Sequence, residues 1–254
     1  MSSIMLIPLS LIGLLGLAAA QVQEAFMAKT FTGWDCCKPV CANAPTFQSG
    51  LLTTRGAATS CSADNTPLPF QQSLTAQSSC AASGGGAGGG GAAFLCSAYQ
   101  PIPVSDGLSY GFATRMGGAA SADNPHCCRC YEAEWLSGAA AGRRMVVQVV
   151  NIADGAGPAG DVAEGDLIVL TPGGGVGRWT AGCTAQYGLR YEDAWGEDYG
   201  GVSSGEACAA LPGDLQGGCY WRHNWAGGAL NGRDVMYRPV SCPARLTDIS
   251  GCAA

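Results

Sequence analysis

Between Thr32 and Cys41 the chain reads Thr-Gly-Trp-Asp-Cys-Cys-Lys-Pro-Val-Cys, which sets one carboxylate, Asp35, between an indole and paired cysteines. A carboxylate held still by neighbouring disulfides suits acid/base chemistry, and the Trp34 ring offers a flat apolar face for a sugar. A disulfide knot with an incidental surface aspartate is the plainer reading of the same stretch. The clusters Cys36-Cys37-Cys41 and Cys127-Cys128-Cys130 suggest zinc thiolates, but neither has the CxxC spacing of a structural zinc site. Only His126 and His223 are available as imidazole ligands, and both are read as structural or solvated. Disulfides are therefore the expected use of the cysteines, and no metal or organic cofactor is implied.

Composition narrows the class of partner. The 254 residues carry a net charge of -6 with 13% charged residues and no basic run, which argues against nucleic acid and suits a neutral substrate. Fourteen cysteines point to an oxidising compartment and as many as seven disulfides. Met1 to Ala20 is an apolar run ending in small residues, read as a signal peptide cut after Ala20, with an uncleaved membrane anchor as the alternative. Pro8 and the shortness of the run count against a span, and no later stretch is long and apolar enough to cross a bilayer. The mature protein is thus expected to be secreted, extracellular, monomeric and free of membrane. No Asn-x-Ser/Thr sequon is present.

The elements that must position Asp35 follow in order. Gln21 to Lys29 reads as a short mature leader and Thr30 to Cys41 as the knot. Pro45 to Gln72 is broken by Pro67 and Pro69, giving loops and one short helix. Ala81 to Ala93 holds the tract Gly84 to Gly91, too poor in side chains to pack, and reads as a flexible surface loop between Cys80 and Cys96. It lacks a following Lys-Ser/Thr, so a phosphate cradle is rejected. Strands are expected at Tyr110 to Ala113, Cys130 to Trp135, Arg144 to Val150, Leu167 to Leu170 and Val235 to Val240, with a helix near Ser204 to Leu211. Met145 to Val150, β-branched and almost wholly apolar, has the pattern of a strand buried on both sides. Short strands around one buried centre imply a compact β-barrel.

Several motifs carry a family resemblance. Asp35-Cys36-Cys37-Lys38-Pro39-x-Cys41, Cys127-Cys128-Arg129-Cys130-Tyr131-Glu132, Gly142 to Gln148, Pro172 to Gly177, Tyr199 to Ser204 and Cys219-Tyr220-Trp221-Arg222 occur in the order found in glycoside hydrolase family 45. The chain resembles that family, and its fungal branch in the order of its cysteines, from about Thr30 to Cys252. The resemblance implies a mostly β fold, a six-stranded double-psi β-barrel with long disulfide-bonded loops and a few short helices, as a single domain over 30–254. It also implies the bridges Cys36-Cys183, Cys37-Cys80, Cys41-Cys127, Cys61-Cys96, Cys128-Cys252, Cys130-Cys242 and Cys208-Cys219.

The activity implied is endo-hydrolysis of β-1,4-glucan, cellulose or a related polymer, with inversion by two carboxyl groups roughly 6.5–9.5 Å apart. By resemblance Asp35 is the general base, with Lys38 favouring its ionised form, and Trp34, Lys38 and Tyr199 bind substrate. The family's acid lies in a His-Phe-Asp-Leu segment, where this chain has Gly160 to Ile168. Ungapped alignment puts Ile168 at the acid's position, whereas a gapped one matches Asp166-Leu167 and leaves Asp161 as a second site acid. Asp166 is preferred as general acid, with Glu164 as fallback, and all three being plain loop acids as the bland alternative.

The chain also departs from the family. Thr32 and Gly33 stand where a Tyr is usual, Asn43 where fungal members tend to have Trp, and Arg190 to Asp198 is inserted before Tyr199. Trp34, Trp179, Trp221 and Trp225 could form a stacking platform, although core is the first expectation for Trp221. A non-hydrolytic, expansin-like polysaccharide binder is the alternative function, favoured by the missing Tyr and displaced acid and disfavoured by the presence of Asp35. A barwin-type defence protein is a third, resting only on the shared barrel.

Overall fold

The computed structural model describes residues 24–45, 56–81, 90–154 and 162–253. The signal peptide assigned to 1–20, Asp161 and residues 82–89 of the Gly-rich tract lie outside the described residues.

Seven strands form one sheet: β1 (Phe26–Gly33), β2 (Ile102–Ser105), β3 (Leu108–Met116), β4 (Cys130–Trp135), β5 (Arg144–Ala153), β6 (Leu167–Leu170) and β7 (Arg233–Val240). Their order is β2-β3-β5-β4-β7-β1-β6, and a further β3–β6 pairing closes six of them into a barrel with β2 outside on the β3 edge. Closure removes the exposed edges of the six-membered ring. Two neighbouring pairs are parallel, β1 with β6 and β3 with β5, and the remaining barrel contacts are antiparallel.

The apolar run in β5 behaves as its composition demands. Met145 to Val150 are all buried, because β5 lies between β3 and β4 with covered faces on both sides. The polar interruption, Gln148, donates from Nε2 to the carbonyls of Cys128 (3.0 Å) and Cys252 (2.8 Å), satisfying both amide protons inside the core. Trp135 and Thr30 tie β4 to β1 through a 2.9 Å Nε1–H···Oγ1 bond.

Three expectations are corrected here. Phe26 to Lys29, assigned to a leader, belong to β1, because they pair antiparallel with Asp234 to Tyr237 and Phe26 stacks on Tyr237. The loop assigned to 81–93 is packed at its end: Ala93 is fully buried and exchanges backbone hydrogen bonds with Gln77 and Ser79. The helix near Ser204 to Leu211 is a 3-10 turn at Glu206–Ala210, from which Cys208 bonds Cys219 of the following α-helix. The short helix expected before Gln72 is α1 (Phe70–Thr75), and α2 (Thr180–Tyr187), α3 (Tyr191–Ala194), α4 (Gln216–Tyr220) and α5 (Ala244–Ser250) are the other α-helices among the described residues.

Seven disulfides join the loops to the barrel, and they are the seven pairs implied by the resemblance. Most close long loops, such as Cys36–Cys183 at a separation of 147 residues, where a cross-link removes the most denatured-state entropy. No helix among the described residues is long and apolar enough to cross a membrane.

Candidate active site

An open groove of about 440 Å³ lies over one face of four neighbouring strands. Alternate residues share a face in a strand, and the groove takes Phe31 and Gly33 from β1, Ile168 and Leu170 from β6, Thr114 and Met116 from β3, and Asn151 and Ala153 from β5. Phe31, Ile168, Thr114 and Asn151 are register partners in sequence across the sheet, so they form one row of its floor.

Asp35 stands at the β1 end of this floor. Thr171 N–H bonds the Gly33 carbonyl (3.0 Å), and Trp34 N–H bonds the Gly175 carbonyl (2.7 Å), which pins the strand exit to the turn after β6. Cys36 then adopts φ 59°, a left-handed conformation that a non-glycine residue holds only when its surroundings enforce it. The fully buried Cys36–Cys183 bond to α2 supplies that enforcement. The turn brings Cys37 N–H to Asp35 Oδ1 at 2.9 Å. Gly182 of α2 packs against Asp35 so closely that an added Cβ would lie 2.3 Å from its carbonyl oxygen. Burial raises the Asp35 carboxyl to about 6, only partly offset by the Cys37 N–H. It is half-buried, faces the groove and has the properties of a base that is ionised above about pH 6.

The other expected site residues are placed differently. Asp166 is 3% exposed and absent from the groove lining; Lys29 N–H donates to its Oδ1 and Ala163 N–H to its Oδ2, each at 2.7 Å. It is a structural acceptor closing the turn before β6, because the strand register puts Ile168, not Asp166, beside Phe31 on the groove floor. Glu164 is exposed and folds over Gly117, outside the groove.

Lys38 does not hold Asp35. Its buried ammonium donates to the carbonyls of Ala76 (2.8 Å) and Leu74 (3.4 Å) at the end of α1, and burial lowers it to about 8. Trp34 edges the groove but is 1% exposed, so it is a core residue rather than a stacking platform. Trp221 is core as expected and stacks on Trp225 at 5.2 Å.

The exposed aromatic surface comes from Trp179 and Tyr199, 40% and 44% exposed on the groove wall. The Arg178 guanidinium lies 4.9 Å from the centre of the Trp179 ring. The inserted 190–198 segment presents Asp198 to the groove beside Tyr199, and it is anchored by Trp195, 1% exposed. Where the family Tyr is missing, Thr32 bonds Gly174 O and Asn231 Oδ1, each at 3.1 Å, and Asn231 itself lines the groove.

Asn151, Asp154 and Asn231 are groove residues that sequence reasoning missed. Asn151 closes the knot onto β5 by accepting Val40 N–H at 2.8 Å, and Asp154 follows the last residue of β5. The signal for Asn151 and Asp154 was available as the change to polar residues where the β5 apolar run ends, whereas Asn231, just before β7, carried none. The described residues bring one potential metal set together, Cys208, Cys219 and His223, with ligand atoms within 4.8 Å of each other. Both sulfurs are spent in the Cys208–Cys219 disulfide, which removes the thiolates a metal would need. His126 Nδ1 shares a 2.6 Å hydrogen bond with Tyr131 Oη.

Comparison with known proteins agrees with this geometry. The profile of glycosyl hydrolase family 45 matches residues 27–253. An endoglucanase of Cryptopygus antarcticus is 33% identical over 86% of this chain and 85% of its own length, and one of Phaedon cochleariae is 34% identical over 87% and 81%. A Fusarium oxysporum protein, provisionally named endoglucanase type K, is 34% identical, and the chain spans about half (51%) of its length. The crystal structure of a cellulase from the Antarctic springtail Cryptopygus antarcticus superposes with a TM-score of 0.73 at 31% identity, covering 91% of this chain and 98% of that one.

Proposed function

The chain belongs to glycosyl hydrolase family 45, and on that premise we propose that it is a secreted endo-β-1,4-glucanase that cleaves internal bonds of cellulose or a related β-glucan with Asp35 as general base. The observation that carries the reading is the half-buried Asp35 carboxyl at one end of an open groove, held by the β1 exit, Cys37 N–H and the Cys36–Cys183 bond. Rigid placement matters because a water-activating base must hold its water in line with the anomeric carbon. A pKa of about 6 gives an ionised base at neutral pH that still accepts a proton strongly. Trp179 and Tyr199 supply apolar ring faces along the wall for sugar rings, and the groove is open enough for a polymer to lie across it. The names of the relatives, endoglucanase and cellulase, support the substrate class.

The test mixes oxidised, folded protein with soluble β-1,4-glucan and follows viscosity and new reducing ends together. Endo-cleavage drops viscosity early while few ends appear, and Asp35→Asn abolishes both changes. A second reading, a polysaccharide binder without hydrolysis, is favoured by one observation: the β6 position facing the groove is Ile168, and the nearby Asp166 is buried in hydrogen bonds. Binding to insoluble glucan with neither viscosity loss nor new ends would select it.

A further inference from the structure

Hydrolysis of a glycoside needs a proton for the departing oxygen, and the floor residue Ile168 cannot give one. We propose that Asp154 is the proton donor of this groove, an assignment that rests on the glycosidase reading above. Among the described residues three carboxylates line the groove: Asp35, Asp154 and Asp198.

Position separates the two candidates for acid. Asp198 belongs to the same flank as Asp35. Trp34 N–H bonds Gly175 O at 2.7 Å, and a Cβ on Gly175 would lie 2.5 Å from the Asp198 carbonyl, so one glycine turn lies against both segments. One Asp198 carboxylate oxygen, Oδ1, is moreover buried away from the groove's water without a hydrogen-bond partner.

Asp154 stands at the other limit of the floor. It follows Ala153, the last residue of β5, which pairs with Met116. β6 and β3 lie between β1 and β5, so Asp35 and Asp154 leave the two outermost strands of the floor. Inversion uses an acid and a base on opposite faces of the sugar, and of the two candidates only Asp154 lies off the flank that carries Asp35. Other groove residues, Met116, Ala120, Val162 and Ile168, are apolar and offer no competing proton donor.

The step balances as a hydrolysis. The Asp154 carboxyl proton passes to the glycosidic oxygen as the bond from that oxygen to C1 breaks. The oxygen of a water forms the new bond to C1 from the opposite face, and Asp35 takes its proton. One water is consumed, and the two carboxyls return to their starting states by proton exchange with solvent.

The experiment compares wild type, Asp154→Asn, Asp154→Glu and Glu164→Gln on soluble β-1,4-glucan and on a dinitrophenyl β-cello-oligosaccharide, whose leaving group needs no proton. Loss of a general acid is expected to lower kcat/KM of Asp154→Asn on the glucan by roughly 10²–10⁴-fold and on the dinitrophenyl substrate by less than about tenfold. The alkaline limb of the glucan pH profile should vanish in Asp154→Asn, Asp154→Glu should recover part of the activity, and Glu164→Gln should match wild type. Near-wild-type glucan activity in Asp154→Asn, or equal losses on both substrates, overturns the assignment while leaving the glucanase reading intact. A wild type that cleaves neither substrate overturns both.

Discussion

Replacing Asp35 by Asn should remove activity and stabilise the fold, by an amount that depends on pH. Folding moves this carboxyl from an ordinary 3.8 to about 6 because burial penalises its charged form. At 1.36 kcal/mol per tenfold change in proton affinity, that difference corresponds to at most about 3 kcal/mol, and water reaching the half-buried group lowers it to roughly 2–3 kcal/mol. The folded protein binds the proton more tightly than the unfolded chain. Wild-type stability therefore falls as pH rises from about 4 to about 6 and is then flat with respect to this group. Asn keeps a carbonyl oxygen for the 2.9 Å bond from Cys37 N–H and has no charge to bury. The assay is urea or thermal unfolding of both proteins with disulfides intact, from pH 4 to pH 8. The gain in Asp35→Asn should be small at pH 4, grow through pH 5 and level off above pH 6, reaching a Tm increase of up to about 6–10 °C. A gain independent of pH, or a wild type that becomes more stable relative to Asn as pH rises, would refute the argument that burial sets this carboxyl's proton affinity.

The same ionisation should give kcat/KM of wild type an acidic limb near pH 6, measured on soluble β-glucan under conditions where substrate is not saturating. Trp179→Ala and Tyr199→Ala should each raise KM on long glucans by about 5–30-fold with a smaller effect on kcat, since both rings are exposed on the groove wall and would act by stacking. Asp166→Asn puts an amide where two backbone N–H groups donate, and should lower stability by roughly 1–3 kcal/mol in denaturant titration, with kcat/KM of the folded enzyme near wild type on both test substrates. Replacing Cys36 and Cys183 together by Ser should cost roughly 3–5 kcal/mol and most of the activity, because that bond carries the left-handed turn beside Asp35.

Sequence reasoning reached what local chemistry controls. The β-branched Met145 to Val150 run could only be a strand covered on both sides, and it is the buried β5. Cysteine order within a recognised motif set was enough for all seven bridges, since each cysteine's neighbours identify it. Asp35 was visible for the same reason: its partners, Trp34, Cys36 and Cys37, adjoin it in the chain. Phe26 to Lys29 were missed because their strand character comes from pairing with β7, some two hundred residues away. Lys38 was misjudged because the carbonyls that hold it belong to the end of α1, brought near only by folding.

By itself, then, the sequence determined the oxidised, disulfide-rich barrel and the carboxylate at the exit of its first strand, because those depend on residue type and on neighbours along the chain. Only the tertiary structure decided which side chains look into the groove. A strand's side chains alternate between faces, so an offset in register exchanges the groove for the interior. The pairing of Phe31 with Ile168 put an apolar residue on the floor and turned Asp166 into a backbone acceptor. It took the closure of β6 onto β3, and of β3 onto β5, to bring Asp154 to the far end of the same floor as Asp35.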